Sequence, residues 1–375
     1  MDAWLVARCA WALFVLNVMS TLTPTVVCNS TPPRFAAGRS TPEMWMSTPQ
    51  LARVAGYEAE PHEVRTADGY LLTVHRILPR AASATATAHR TPVLAGHGLA
   101  SCSEQWVVRP GNLSLRLVDS GFDVWLANYR GSYYGRKHVS LSVKSPRFWD
   151  FSWHENGVYD GPALIDHVLA VTGFESLITV GHSMSSTVQL VTLSARPEYA
   201  KKMRATILMA PPVYFGHPSG ALQMVDQVFK TFRRAKTAYS DLVRDNLFLP
   251  TEWPLYTYCY WAGTGERPLE LCRIMFELTA GKLQKVIDPK LIRLLMAHYP
   301  AGASIRQILH YGQIMLQGTN KTWASYCMHG NLVTILTKLF CCGRGNRNHS
   351  HLIAWKCWVV MNCDFSISRN TRFRS

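Results

Sequence analysis

The chain has 375 residues, of which 48% are hydrophobic and 17% charged, which supports a large core and excludes disorder as the main state. Its 39 Lys and Arg against 24 Asp and Glu give a net charge of +15. The basic residues are scattered, with no zinc-finger spacing, RNP aromatics or basic-helix block, so the common nucleic-acid-binding modules are excluded. No apolar run reaches the roughly 18 residues of a spanning helix, which excludes a multi-pass membrane protein.

In chain order, residues 1–20 read as a secretory signal. Arg8 precedes the apolar run Ala10–Met19, and Val18 and Ser20 are placed for cleavage after Ser20. Export predicts oxidised cysteines and glycans, and acceptor triplets begin at Asn29, Asn112, Asn320 and Asn348. Residues 21–210 read as an α/β core. Tyr70–Leu78 follows the Asp68-Gly69 turn as a hairpin strand. Pro92–Ala95, Phe122–Ala127, Leu177–Val180 and Thr206–Ala210 are short apolar strands. Helical periodicity between them, at Gly161–Val171 and Val188–Ser194, predicts a mostly parallel sheet covered on both faces.

From residue 211 to 318 the strand pattern gives way to helical stretches such as Gln223–Lys236 and Leu269–Ala280. This predicts a helical insertion over the sheet. Cys259 and Cys272 flank a plausible loop and form the best candidate disulfide. Residues 319–375 differ in character. No periodicity of 2 or 3.6 persists there, and Cys341, Cys342, Cys357 and Cys363 crowd the end of the chain.

The sharpest chemical signal is Gly181-His182-Ser183-Met184-Ser185, after a strand and before a helical stretch. A serine on such a turn projects its hydroxyl above the sheet edge, a geometry suited to nucleophilic attack. The next backbone N–H, that of Met184, points at the developing oxyanion. His97-Gly98-Leu99, at the end of the Pro92–Ala95 strand, supplies a second donor, the N–H of Leu99. His97 itself reads as an orienting or packing histidine.

These stretches resemble the acid lipases, the gastric, lysosomal and insect-type lipases of the α/β-hydrolase fold. The resemblance is carried by Gly56–Ile77, the loop at His97, GFDVWLANYRG at Gly121–Gly131 and Arg136–Ser142. It continues through Phe148–Leu169, the GHSMS turn, Ala210-Pro211-Pro212 and HYPAGAS at His298–Ser304. It implies a serine esterase acting on neutral lipid esters at a lipid–water interface, with no cofactor and no metal. Ser183 matches the nucleophile, Leu99 and Met184 the oxyanion pair, residues 211–318 the cap and lid, and Cys259 and Cys272 the cap disulfide. The resemblance further implies secretion or lysosomal delivery. Two residues of the turn depart from the family pattern. Met184 stands for Gln, and Ser185 stands for Gly, where a side chain is expected to strain the turn.

The resemblance fades after Gln313. In this family the acid and the base follow the cap, in the order Ser, Asp, His. No later segment reads as an apolar strand followed by an Asp loop. His349 and His351 are weak candidates for the base, and Asp364 follows both histidines, against the family order. A zinc cluster of Cys341, Cys342, His349, His351 and Cys357 lacks zinc-ribbon spacing. The expectation is therefore an α/β-hydrolase fold whose last core strands are missing or replaced, leaving a sheet edge bare. Beside the active lipase stand two other readings: a catalytically inactive lipid-binding member of the fold, and a truncated or mis-joined product.

Overall fold

The computed structural model describes residues 42–79, 90–109, 111–213, 247–248, 289–316 and 357–361. The expected strand–helix alternation is present. The strands are β1 (Glu58–Arg65), β2 (Tyr70–Leu78), β3 (Pro92–Gly96), β4 (Asp123–Leu126), β5 (Lys137–His138), β6 (Leu177–His182) and β7 (Met203–Met209). Three more follow: β8 (Leu247–Phe248), β9 (Ala303–Ser304) and β10 (Cys357–Met361). The main sheet has the order β1-β2-β4-β3-β6-β7-β10, with β5 paired to β2, while β8 and β9 pair separately. Strands β4, β3, β6 and β7 run parallel; β1 and β2 form an antiparallel hairpin at one edge. The hairpin turns at Gly69, whose φ of +96° suits a residue without Cβ.

Alternation along the strands divides the core into two layers. Leu94 and Trp125 face one side, against Leu164, Ile165 and Val168 of α3 (Gly161–Thr172) and Val188 and Val191 of α4 (Met184–Ala195). Val93, Ala95, Val124, Leu126 and Val180 face the other, against α1 (Thr48–Val54) and α2 (Leu113–Asp119). Both faces of β3 are buried, so its five residues read as a continuous apolar run rather than an alternating one. Helices α5 (Pro289–His298) and α6 (Ile305–Leu316) lie within residues 211–318, the segment expected to form the insertion. Helix α6 packs on the core, with Tyr311 buried and its hydroxyl donating to Thr187 Oγ1 at 3.0 Å.

The tail corrects one expectation. Residues 357–361 form β10, antiparallel to β7, with Cys357 opposite Met209 and Met361 opposite Ala205. The run Cys-Trp-Val-Val-Met has apolar residues at every position, so it carries no period-2 signal and escapes a search for alternation. The open flank of β7 supplies the backbone partners that such a run needs, and this flank is paired rather than bare. Because β10 is antiparallel, the chain enters it beside Met209 and leaves it at the opposite end of the sheet. The helical stretches expected at Gln223–Lys236 and Leu269–Ala280 lie outside the described residues. Among the described residues no helix is long and apolar enough to cross a membrane, and no group of His, Cys, Asp and Glu is placed to hold a metal ion.

Candidate active site

Ser183 lies between the last residue of β6 and the first of α4, at φ 53° and ψ −117°. Residues with a Cβ rarely adopt this backbone conformation, which is the strained strand-to-helix turn that the sequence pattern predicts. Two hydrogen bonds fix the turn: Ser183 N donates to Met209 O of β7, and Ser186 N donates to Ser183 O, both at 2.9 Å. Ser186 Oγ also donates to Gly181 O at 2.8 Å. Gly181 is required by space. A Cβ there would sit 2.7 Å from Ser186 N and 2.9 Å from the Ser185 carbonyl carbon, both backbone atoms that cannot move aside. Ser183 is half-buried, and among the described residues no hydrogen bond engages its hydroxyl. Among the described residues three non-glycine residues have positive φ: Ala100, Ser183 and Ala210. They occupy the loop after His97, the turn itself and the end of β7, so backbone strain is concentrated around the serine.

The His97 loop lies beside the turn because β3 and β6 are parallel neighbours, with Gly96 opposite Gly181. A Cβ on Gly98 would fall 3.4 Å from Ser183 Cβ, so the loop backbone passes directly over the serine. His97 is buried and held by two hydrogen bonds. Its Nδ1 donates to Gly98 O at 2.8 Å, and its Nε2 accepts from Tyr129 N–H at 3.1 Å. Burial pushes its pKa down to about 4, against the opposing pull of the Gly98 carbonyl. A neutral ring with both nitrogens engaged orients a loop and is not available as a general base. Further along, Ala301 N donates to Ala100 O at 2.7 Å, tying the loop to the segment before α6. His298 donates through Nδ1 to Glu104 Oε2 at 2.6 Å in a largely buried pair. Burial acts to lower the His298 pKa, but Glu104 outweighs it and the pKa is raised.

The Ser185 side chain does not strain the turn as expected. It is fully buried, and its Oγ lies 2.7 Å from Tyr129 Oη in a hydrogen bond. The room comes from Gly96, where a Cβ would overlap Ser185 Oγ and approach Tyr129 Oη to 2.5 Å. The glycine missing from the turn is offset by a glycine on the neighbouring strand.

Sequence reasoning assigns no role to the polar chain behind Met184. Gln307 of α6 donates through Nε2 to Asn156 Oδ1 at 2.8 Å and lies 3.4 Å from Met184 Sδ. Asn156 Nδ2 donates to Asp160 Oδ2 at 2.9 Å. Asp160 is fully buried and accepts from Arg130 Nε at 2.8 Å and from Arg130 N–H at 3.1 Å. Arg130 reaches on to Asp68 at 2.6 and 2.8 Å and lies 3.9 Å from the centre of the Tyr70 ring. Burial raises the Asp160 pKa against the pull of Arg130. Gln307 and Asn156 are 151 positions apart in sequence, so no local spacing signals their contact.

Residues 48–110 match the family described as a partial alpha/beta-hydrolase lipase region, and residues 91–252 match the alpha/beta hydrolase fold. Lipase 1 of Drosophila melanogaster is 37% identical over 73% of this chain and 58% of its own length. Lysosomal acid lipase/cholesteryl ester hydrolase of Rattus norvegicus is 34% identical over 73% of this chain and 68% of its own. The chain belongs to this lipase family of the α/β-hydrolase fold. It spans 58% of the length of the fruit-fly lipase and about two thirds of the rat one. Of the residues that the family resemblance singles out, Ser183 and Met184 follow β6, and Leu99 follows the neighbouring strand β3, one residue after the Gly98 that approaches Ser183. Cys259, Cys272, Asn29, Asn320, Asn348, His349, His351 and Asp364 lie outside the described residues. Asn112 is half-buried before α2 and donates through Nδ2 to Gln105 O at 3.2 Å; the hydroxyl of its triplet partner Ser114 is buried against Trp106 O.

Proposed function

We propose that this chain is a serine hydrolase of fatty acyl esters in neutral lipids, with Ser183 as the nucleophile. The observation that carries the reading is the backbone of Ser183, at φ 53° and ψ −117° between a strand and a helix, with Gly98 over it. Attack of Ser183 Oγ on the ester carbonyl forms a tetrahedral intermediate. Its collapse expels the alcohol and leaves an acyl-enzyme, which water then hydrolyses. The N–H of Met184, in the first turn of α4, and the N–H of Leu99 are the proposed donors to the oxyanion. Each such donor is worth about 3 kcal/mol in the transition state. Residues 211–318 are proposed as the cap that shields the site until it meets a lipid surface, with Cys259 and Cys272 as its disulfide. The relative named as a lysosomal acid lipase/cholesteryl ester hydrolase and the apolar leader support a secreted or lysosomal setting.

No acid or base is assigned to the site; His349, His351 and Asp364 stand as weak candidates from the sequence. A second reading, lipid binding without turnover, rests on the sequence: no segment after Gln313 reads as an apolar strand followed by an Asp loop. Hydrolysis of p-nitrophenyl butyrate by the full chain, expressed through a secretory route, separates the two readings. The hydrolase reading expects turnover at acidic or neutral pH that Ser183→Ala abolishes; His349 and His351 are then the first side chains to replace in the search for the base. Turnover that survives Ser183→Ala contradicts the nucleophile assignment. No turnover, with retained binding of a neutral lipid ester, supports the lipid-binding reading.

A further inference from the structure

Ser185 is the residue at which this chain departs from the glycine of the turn, and the structure gives its hydroxyl a definite partner. Its Oγ is hydrogen-bonded to Tyr129 Oη at 2.7 Å inside a fully buried pair. Tyr129 meets His97 twice. Its backbone N–H donates to His97 Nε2 at 3.1 Å, and its ring packs against the imidazole with centroids 5.0 Å apart. The imidazole in turn donates from Nδ1 to Gly98 O at 2.8 Å. The Gly98 carbonyl belongs to the peptide whose N–H is that of Leu99. A hydrogen bond on this carbonyl therefore fixes the plane of the peptide that carries the proposed oxyanion donor.

We propose that Ser185 is a positioning residue: through Tyr129, His97 and the Gly98 carbonyl it sets the Leu99 N–H against Ser183. The proposal rests on the hydrolase reading for its consequence in catalysis, but its mechanical part stands on the hydrogen bonds alone. Here Ser185 leaves from the first turn of α4 and occupies the groove vacated by Gly96. Its hydroxyl joins the helix that starts at Met184 to Tyr129, which follows β4 and whose backbone N–H holds His97. The Leu99 donor is then held by a buried chain of contacts that ends on the first turn of α4. Such chains act cooperatively in a low dielectric, and each link orients the next.

The test uses the full chain and the variants Ser185→Ala, Tyr129→Phe and the double variant. Hydrogen exchange is followed by mass spectrometry in peptides covering residues 97–101. Each single variant is expected to speed exchange in those peptides about two- to tenfold, the effect of one lost buried hydrogen bond. The double variant is expected to do no more than either alone, because both cut the same chain. Exchange across β1 and β2 serves as the control for the fold. In turnover of p-nitrophenyl butyrate, Ser185→Ala is expected to lower kcat about tenfold and to leave KM within about twofold, as for a misplaced oxyanion donor. Unchanged exchange at residues 97–101 in a folded Ser185→Ala variant overturns the proposal, as does a double variant whose effects add. If the parent chain shows no Ser183-dependent turnover, the hydrolase reading fails, while the exchange pattern still decides the positioning role.

Discussion

Replacing Arg130 by Met removes the only cation that contacts the fully buried Asp160 among the described residues. Arg130 gives Asp160 its Nε–H, an Nη2 contact at 2.7 Å and its backbone N–H, and it gives Asp68 two further bonds. The backbone bond and the Asn156 bond survive the substitution, while the charge and the side-chain bonds do not. Leaving a buried carboxylate uncompensated costs about 3–5 kcal/mol. With a urea m-value of about 3 kcal/mol per M, the unfolding midpoint should fall by about 1–1.7 M. The deficit should depend on pH. Burial already raises the Asp160 pKa against the pull of Arg130, and losing that pull raises it further. A carboxyl whose folded pKa lies above its unfolded value destabilises at high pH and recovers as pH falls through the folded value. The deficit of Arg130→Met is therefore largest at neutral pH and shrinks toward pH 4. Adding Asp160→Asn should return part of the stability at neutral pH. A midpoint shift below about 0.3 M at neutral pH, or a deficit that ignores acidification, would refute this reasoning.

Three other perturbations give separate readouts. Gly181→Ala places a Cβ against Ser186 N and the Ser185 carbonyl carbon; overpacking of this kind costs about 1–3 kcal/mol and should remove Ser183-dependent turnover, measured beside the thermal midpoint. The His298–Glu104 pair raises the His298 pKa despite burial, so its stabilisation is present below about pH 6.5, the unfolded value, and is lost as pH rises through the folded value. Thermal scans of the parent and His298→Gln should therefore differ most at acidic pH and converge at alkaline pH. Val359→Pro removes an N–H from β10 opposite Ile207 and should raise hydrogen exchange in peptides covering 203–209; unchanged exchange there would mean that β10 does not protect β7 in solution.

Much of the fold is legible in the sequence because its strands carry local signals. Tyr70–Leu78 announces itself by the Asp-Gly turn before it, and Leu177–His182 by running directly into the Gly181 turn. The position of Ser183 follows from the same order of strand, turn and helix. Less legible features depend on contacts distant in sequence. Cys357–Met361 lacks alternation and becomes a strand only because β7 has an open flank. Ser185 reads locally as a strained substitution, yet Gly96, 89 positions earlier, makes the space for it. The link from Gln307 to Asn156 and Asp160 needs α6 to return to the π-helical turn at Asn156–Asp160, and no spacing within either segment encodes that return.

The nucleophile assignment is tested most directly by covalent capture. The full chain is incubated with an alkyl fluorophosphonate, which phosphonylates an activated serine with loss of fluoride, and its peptides are mapped by mass spectrometry. The expected result is one adduct, on the peptide containing Ser183, that is absent from Ser183→Ala and slower to form in Ser185→Ala. An adduct on another residue, or labelling of Ser183 no faster than that of exposed serines such as Ser142, would contradict it.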